Sequence, residues 1–154
     1  MIKGQLQFVV PLLPPSVNHY KKPKRGGGFF RTGEVIGFIE AVCIFSHKEL
    51  VPGDYYEAEI TFFLPPAKQR LSSNDTDNFL KVALDALGTA GVICNDGRVM
   101  DLIVHKRFCP TERDARTLYH ITGKDTFTDE NEVLPGRPLQ IAAGSHPAEG
   151  SETK

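Results

Sequence analysis

Acidic residues concentrated in one stretch, between Ser73 and Asp101, could hold a divalent metal ion. Asp75 and Asp77 flank a single residue, and a further aspartate follows in the turn-forming string Asn95-Asp96-Gly97. Hard cations such as Mg²⁺ prefer carboxylate oxygens as ligands. They lower the pKa of a bound water and neutralise charge that grows on an attacked phosphate. The pattern therefore predicts a metal-dependent hydrolase that acts on nucleic-acid phosphates.

Lys81 is the cation best placed to work with these acids. It lies four residues after Asp77 and four before Asp85, so a helix would present the three side chains on one face. A lysine at this place could stabilise the charge of the transition state or orient the attacking water. The same spacing also occurs in solvated salt-bridge ladders on surface helices. The two acids at the helix entrance and the acid in the later turn favour a reactive site.

Other metal and catalytic motifs fit this stretch less well. In a calcium-binding loop that starts at Asp75, the glycine required at the sixth position would be Leu80. The chain has no closely spaced cysteine pair for zinc, no Gly-x-Ser-x-Gly string and no Walker-type phosphate loop. A glycosidase-like pair of carboxylates remains open, although it would not require a third acid and a lysine.

Two strings in the chain form a specific pattern. They are Asp75-x-Asp77-Asn78-x-x-Lys81-x-x-x-Asp85-Ala86-Leu87 followed by Asn95-Asp96, and Pro14-Pro15-Ser16-x-Asn18 near the start. Together they resemble the RusA family of Holliday-junction resolvases. The likeness covers roughly residues 5 to 123. It implies a homodimeric crossover junction endodeoxyribonuclease that nicks opposing strands of four-way DNA junctions in recombination and repair. The implied cofactor is magnesium, with manganese as the alternative metal.

The resemblance also implies roles for individual residues. Asp75, Asp77 and Asp96 would bind the metal, and these three aspartates together with Lys81 would form the catalytic set. Asn95 departs from the family pattern, because family members often carry a second aspartate there. How charge is shared at that end of the site is therefore open.

Two further aspartates lie close to this set in the sequence. Asp85 is expected to orient Lys81 rather than to bind metal. Asp101 is a candidate extra ligand, but on an alternating strand it could equally face solvent.

A basic segment precedes the acidic stretch. Lys21-Lys22-Pro23-Lys24-Arg25 carries four cations in five residues and leads into Gly26-Gly27-Gly28. We interpret it as a flexible loop that grips phosphates, with a merely solvated loop as the alternative. Phe29 and Phe30 beside it favour a contact surface, because aromatic faces stack on exposed bases. DNA contacts are predicted from six cations: Lys21, Lys22, Lys24, Arg25, Lys68 and Arg70.

The elements that must position these residues indicate an α+β fold with a mixed β-sheet and two main helices, RusA-like. Apolar periodicity predicts helices over residues 33–50 and 77–87. Strands are predicted over residues 5–10, 55–64, 99–108 and 116–122. Residues 92–93 are predicted to form a short strand that pairs back on residues 99–108 through the Asn95-Asp96-Gly97 turn.

Charge divides the chain into two parts. Residues 1–123 carry 15 lysines and arginines against 13 aspartates and glutamates, whereas residues 124–154 carry 3 against 6. The net charge of −1 argues weakly against DNA binding without excluding it, because the body itself is mildly basic. We predict a RusA-like endonuclease domain over 1–123 and a disordered acidic tail over 124–154.

Composition also bears on location. No apolar run is long enough to span a membrane, and the N-terminus lacks the pattern of a secretory signal. The three cysteines are widely spaced, as is usual for free thiols in a reducing compartment. We therefore expect a cytoplasmic protein, encoded by a bacterium or a phage, that does not associate with membranes.

Two other functions remain open beside the junction nuclease. The chain could be a junction-binding protein without catalysis, an alternative favoured by Asn95 and by the low net charge. It could also be a metal-dependent hydrolase of free nucleotides, although the basic segment would then have no evident task.

Overall fold

The computed structural model describes residues 1–69 and 76–125. Two helices in this part are α1 (Gly33–Phe45) and α2 (Thr76–Thr89). The strands are β1 (Ile2–Val10), β2 (Lys21–Pro23), β3 (Phe29–Arg31), β4 (Tyr55–Leu64), β5 (Val99–Phe108) and β6 (Arg116–Lys124). Neither helix is long and apolar enough to cross a membrane. The predicted α+β class with two main helices is confirmed.

The main sheet has four strands in the order β1-β6-β4-β5. The pairs β1–β6 and β6–β4 are antiparallel, whereas β4 and β5 are parallel, so the sheet is mixed as predicted. Parallel neighbours need a crossover connection, and here α2 forms it. The crossover places α2 against the sheet and brings the chain to the start of β5 through the segment that contains Asp96.

Alternation along β4 explains how the core forms. One face of β4 is buried, and its side chains are Tyr56, Ala58, Ile60, Phe62 and Leu64. Each large side chain removed from water stabilises the fold by about 1.5–3 kcal/mol. This face packs against both helices in one hydrophobic cluster. The opposite face of the same strand is more polar, which confirms the alternation predicted for residues 55–64.

Aromatic contacts fix α2 on the sheet. The ring of Phe79 in α2 lies 5.8 Å, centroid to centroid, from the ring of Phe62 in β4. The hydroxyl of Tyr119 in β6 donates a hydrogen bond of 3.2 Å to the backbone carbonyl oxygen of Ala83. Burial raises the pKa of Tyr119, so this hydroxyl stays a donor. The position of α2, and therefore of every side chain on its outer face, is set by the core.

The first helix is shorter than predicted. It ends at Phe45 rather than at residue 50, because the backbone of His47 and Lys48 turns into the left-handed region with φ of 54° and 53°. Leu50, which continued the apolar periodicity, is exposed. The periodicity therefore extended past the point at which the chain leaves the helix.

The short strand predicted at residues 92–93 is absent, and that prediction is wrong. Val92 and Ile93 are buried in a turn rather than paired with β5. The backbone carbonyl of Val92 accepts instead from the N–H of Val51 at 2.9 Å. Because β5 takes β4 as its parallel neighbour, the expected hairpin does not form.

Gly123 in β6 lies against the backbone of Pro52, so closely that an added Cβ would overlap the Pro52 carbonyl oxygen. We expect Gly123→Ala to lower the free energy of unfolding by about 2–3 kcal/mol, because the two backbone segments would have to separate. Urea denaturation measures this change. Gly37→Ala is the matched control, because its added Cβ would meet no atom within 4 Å beyond its chain neighbours and the backbone of its own helix, and alanine favours the helix by about 1 kcal/mol. Equal effects of the two substitutions would contradict the close approach.

Candidate functional site

The outer face of α2 carries the charged residues that the spacing predicted to lie together. Asp77, Lys81 and Asp85 all line one open cavity of about 450 Å³, which confirms the one-face prediction. Asp96 lines the same cavity from the segment that precedes β5. We call this surface the acidic groove; its lining is Asp77, Leu80, Lys81, Leu84, Asp85 and Asp96.

Burial on the inner face of α2 determines which residues face outward. The inner face of α2 is fully buried at Val82, Ala83, Ala86 and Leu87. Because a helix repeats every 3.6 residues, the residues on the opposite face point to solvent. Asp77 lies in the first turn of α2, where a negative charge is favoured by the helix dipole.

Asp96 is held by a short 3₁₀ turn, Asp96–Arg98. The side-chain oxygen of Asn95 accepts a hydrogen bond of 2.7 Å from the backbone N–H of Gly97 and so caps this turn. Cys94, the residue before Asn95, is also held in place. Its backbone N–H donates a hydrogen bond of 3.2 Å to the hydroxyl oxygen of Tyr56, whose side chain is buried. Asn95 therefore has a structural task, which is to shape the turn that presents Asp96.

Asp85 has a partner that the sequence did not reveal. The hydroxyl of Tyr20 donates a hydrogen bond of 2.7 Å to the Asp85 carboxylate. Burial and the bond to Asp85 raise the pKa of Tyr20, so the hydroxyl keeps its proton. Asp85 and Lys81 do not form an ion pair, and the expectation that Asp85 orients Lys81 is not met. Asp85 instead ties α2 to the segment around Tyr20.

We expect Tyr20→Phe to destabilise the protein by about 1–2 kcal/mol, because it removes a hydrogen bond to a charged acceptor and keeps the ring. Urea denaturation of Tyr20→Phe, Asp85→Ala and the double variant forms a double-mutant cycle. The double variant should be less destabilised than the sum of the two single variants. Strict additivity would mean that this hydrogen bond contributes nothing to stability.

The basic segment is a β-hairpin, so the prediction of a flexible loop is wrong for its two arms. In the ladder, Lys21 pairs with Arg31, Lys22 with Phe30 and Pro23 with Phe29. Residues 24–28 connect the two strands, and the three glycines among them have positive φ of 101°, 101° and 84°. Glycine adopts this conformation without the steric cost other residues would incur. The run Gly26-Gly27-Gly28 before the aromatic pair Phe29-Phe30 was the available signal for such a turn, whereas the lysines and proline of the first arm are residues that strands usually lack.

Most of the predicted DNA-binding residues lie on this hairpin or beside α2. Lys21, Lys22, Lys24 and Arg25 are exposed on the hairpin and its turn. The Lys68 Nζ lies 5.3 Å from the centroid of the Phe79 ring, near the start of α2. Arg70 and Asp75 fall outside the described residues.

A second cavity, of about 530 Å³, adjoins the acidic groove and reaches the hairpin. Both cavities are lined by Lys81 and Asp85. We call this the hairpin cavity; its lining is Val17, Tyr20, Lys21, Phe29, Lys81 and Asp85. A basic arm with exposed aromatic residues therefore borders the groove that carries the aspartates.

Asp101 is not part of this surface. It lies opposite Glu57 in the β4–β5 ladder, on the sheet face that the helices do not cover. On the same face the Lys124 Nζ forms an ion pair of 2.6 Å with the Glu57 carboxylate. The structure supports the alternative in which the Asp101 side chain faces solvent.

The donor types in the acidic groove fit a hard divalent cation. Asp77 and Asp96 present exposed carboxylates to one open groove, and Mg²⁺ is usually held by one or two carboxylates with several waters. Within residues 1–69 and 76–125, however, no three histidine, cysteine, aspartate or glutamate side chains lie close enough together to enclose a metal ion. The groove thus supplies suitable ligands in an open arrangement.

Comparison with known proteins finds a family model and a relative that resemble this chain. A family model described as endodeoxyribonuclease RusA matches residues 39–117, a span that includes α2 and Asp96 but begins after the basic hairpin. The chain is also 33% identical over 108 residues to the crossover junction endodeoxyribonuclease RusA of Aquifex aeolicus (strain VF5). That alignment covers 67% of this chain and 81% of the relative.

Proposed function

The chain belongs to the RusA family of endodeoxyribonucleases, and from that premise we propose that it resolves four-way DNA junctions by paired nicks in opposing strands, in recombination and repair. The observation that carries the proposal is the continuity of the acidic groove with the basic hairpin through Lys81 and Asp85. Phosphate held by the hairpin would lie beside the carboxylates that a hydrolytic site requires.

Asp77 and Asp96, with Asp75, are the proposed ligands of a divalent metal, magnesium or manganese. When bound, such an ion activates a water and neutralises charge on the attacked phosphate. The side chain of Lys81 is exposed between Asp77 and Asp85, where a flexible cation can reach a phosphate oxygen. Its proposed task is to stabilise charge in the transition state.

DNA backbone contacts are proposed for the six cations predicted from the sequence: Lys21, Lys22, Lys24, Arg25, Lys68 and Arg70. Each phosphate that a lysine or arginine neutralises releases counterions, so binding should weaken as salt increases. A homodimer is proposed because a four-way junction offers two equivalent strands, and twofold symmetry supplies two equivalent sites.

A substrate panel tests the proposal. The purified full-length chain is incubated with a labelled four-way junction, a linear duplex of matched sequence and a nucleoside triphosphate, each with magnesium and with a chelator. We expect nicks in the junction with magnesium only, and little cleavage of the duplex. Junction binding without nicks in either magnesium or manganese would favour the non-catalytic alternative. Turnover of the triphosphate with no effect on the junction would favour the nucleotide hydrolase.

A further inference from the structure

The β2–β3 hairpin has two chemically different faces. Residues opposite each other in an antiparallel ladder share a face, and neighbours along a strand point to opposite faces. Lys21, Arg31 and Phe29 therefore lie on one face, and Lys22 and Phe30 lie on the other. The cavities agree with this division, because Lys21 and Phe29 line the hairpin cavity whereas Lys22 lines a separate cavity beside the start of α1.

The hairpin face that lines the hairpin cavity contacts Tyr20, a side chain with a fixed position. The Lys21 Nζ and the Arg31 guanidinium lie 5.6 Å and 5.7 Å from the centroid of the Tyr20 ring. Tyr20 is buried, and its hydroxyl is bonded to Asp85 of α2. The end of the hairpin next to Tyr20 is therefore held against α2, the helix that carries Lys81.

Phe29 stands out on this face because 71% of its surface is exposed. A phenylalanine that lines a cavity yet stays in water contributes little to the core and offers a flat apolar face to a ligand. The same cavity is lined by the cations Lys21 and Lys81 and by Asp85, whose carboxylate accepts the hydrogen bond from Tyr20. A flat aromatic surface flanked by cations suits a nucleobase whose adjacent phosphates are held by those cations.

We propose that Phe29 is a stacking platform for a base unstacked at the branch point of the DNA, and that it thereby helps the protein to distinguish branched DNA from linear duplex. The inference rests on the proposed function, because it presumes that branched DNA is the substrate. In a continuous duplex every base is already stacked on its neighbours, so Phe29 gains no partner there. Loss of one base–aromatic stack corresponds to about 5- to 150-fold in affinity.

Phe30 provides a matched control. The sequence grouped Phe30 with Phe29 in one contact surface, but the structure separates them: Phe30 lies on the opposite face of the hairpin, does not line the hairpin cavity and is 48% exposed. Phe29→Ala and Phe30→Ala remove the same side chain from the same strand. A general loss of apolar surface or of hairpin stability would affect both variants, whereas base stacking would affect Phe29→Ala alone.

The test measures binding in chelator, so that the DNA stays intact. Affinities of the full-length chain and of both variants are measured for a four-way junction and for a matched duplex. The junction carries the fluorescent base 2-aminopurine at the branch point. Phe29→Ala should lower junction affinity by at least about 5-fold, leave duplex affinity within twofold and abolish the change in fluorescence on binding. Phe30→Ala should change none of these, and Phe29→Trp should keep the junction preference.

Equal losses in Phe29→Ala and Phe30→Ala, or an unchanged fluorescence response in Phe29→Ala, would overturn the inference. Cleavage of the junction by the unsubstituted chain with magnesium is measured in parallel. If the unsubstituted chain cleaves the junction but Phe29→Ala keeps its full junction preference, only the stacking inference fails. If the unsubstituted chain neither binds nor cleaves the junction, the proposed function fails as well.

Discussion

Asp77→Asn is expected to reduce single-turnover cleavage of a four-way junction by at least about 10³-fold while leaving junction affinity within about twofold. Asparagine has nearly the same shape but no charge, so it weakens the proposed metal site without filling or emptying space. A loss of about 4 kcal/mol of transition-state stabilisation is of the size that a bound metal supplies, and it corresponds to this factor. Asp77 is exposed, so folding should change little.

Asp101→Asn is the control for the Asp77 variant. It removes the same charge from an exposed aspartate on the sheet face that the helices do not cover, and it should keep cleavage within about twofold. Rates are compared at saturating enzyme with magnesium. Full activity of Asp77→Asn, or equal losses in the two variants, would remove Asp77 from the metal site.

The second large effect is expected from Lys81→Ala. If Lys81 stabilises charge that develops in the transition state, its loss should slow the chemical step by about 10²–10³-fold. Junction affinity should fall by much less, because the hairpin cations and Lys68 remain to hold the backbone. Single-turnover rates and separate binding measurements distinguish the two effects.

Lys81→Arg and Lys81→Met complete the test of the lysine. Arginine keeps the charge but spreads it over a planar group, so it should restore only part of the rate. Methionine keeps the length of the side chain without charge and should resemble alanine. A methionine variant as active as the unsubstituted chain would show that the charge of Lys81 has no part in the reaction.

Much of the site could be predicted because it depends on local spacing. Asp77, Lys81 and Asp85 share a helical face for any helix over this stretch, and the structure confirms it. The strand at Tyr55–Leu64 was predicted with the correct bounds, because its alternation reflects one buried and one polar face. Asp96 was placed correctly in a turn before β5, since turn residues act over a few positions.

The features that were missed depend on contacts between distant parts of the chain. Tyr20 and Asp85 are 65 residues apart, and nothing in either neighbourhood indicates that they bond. The parallel pairing of β5 with β4 is decided by how α2 packs, whereas the Asn95-Asp96-Gly97 turn alone favoured a local hairpin. The metal-binding and catalytic roles of Asp77, Lys81 and Asp96 remain predictions, as do those of Asp75 and Arg70, which lie outside the described residues.

Mapping the nicks in a four-way junction tests the central claim most directly. Each strand is labelled in turn, the full-length chain is added with magnesium, and the products are separated under denaturing conditions. The account predicts nicks at symmetric positions in two opposing strands, and none with Asp77→Asn. Nicks that persist with Asp77→Asn, or cleavage of the matched linear duplex at the same rate as the junction, would contradict it.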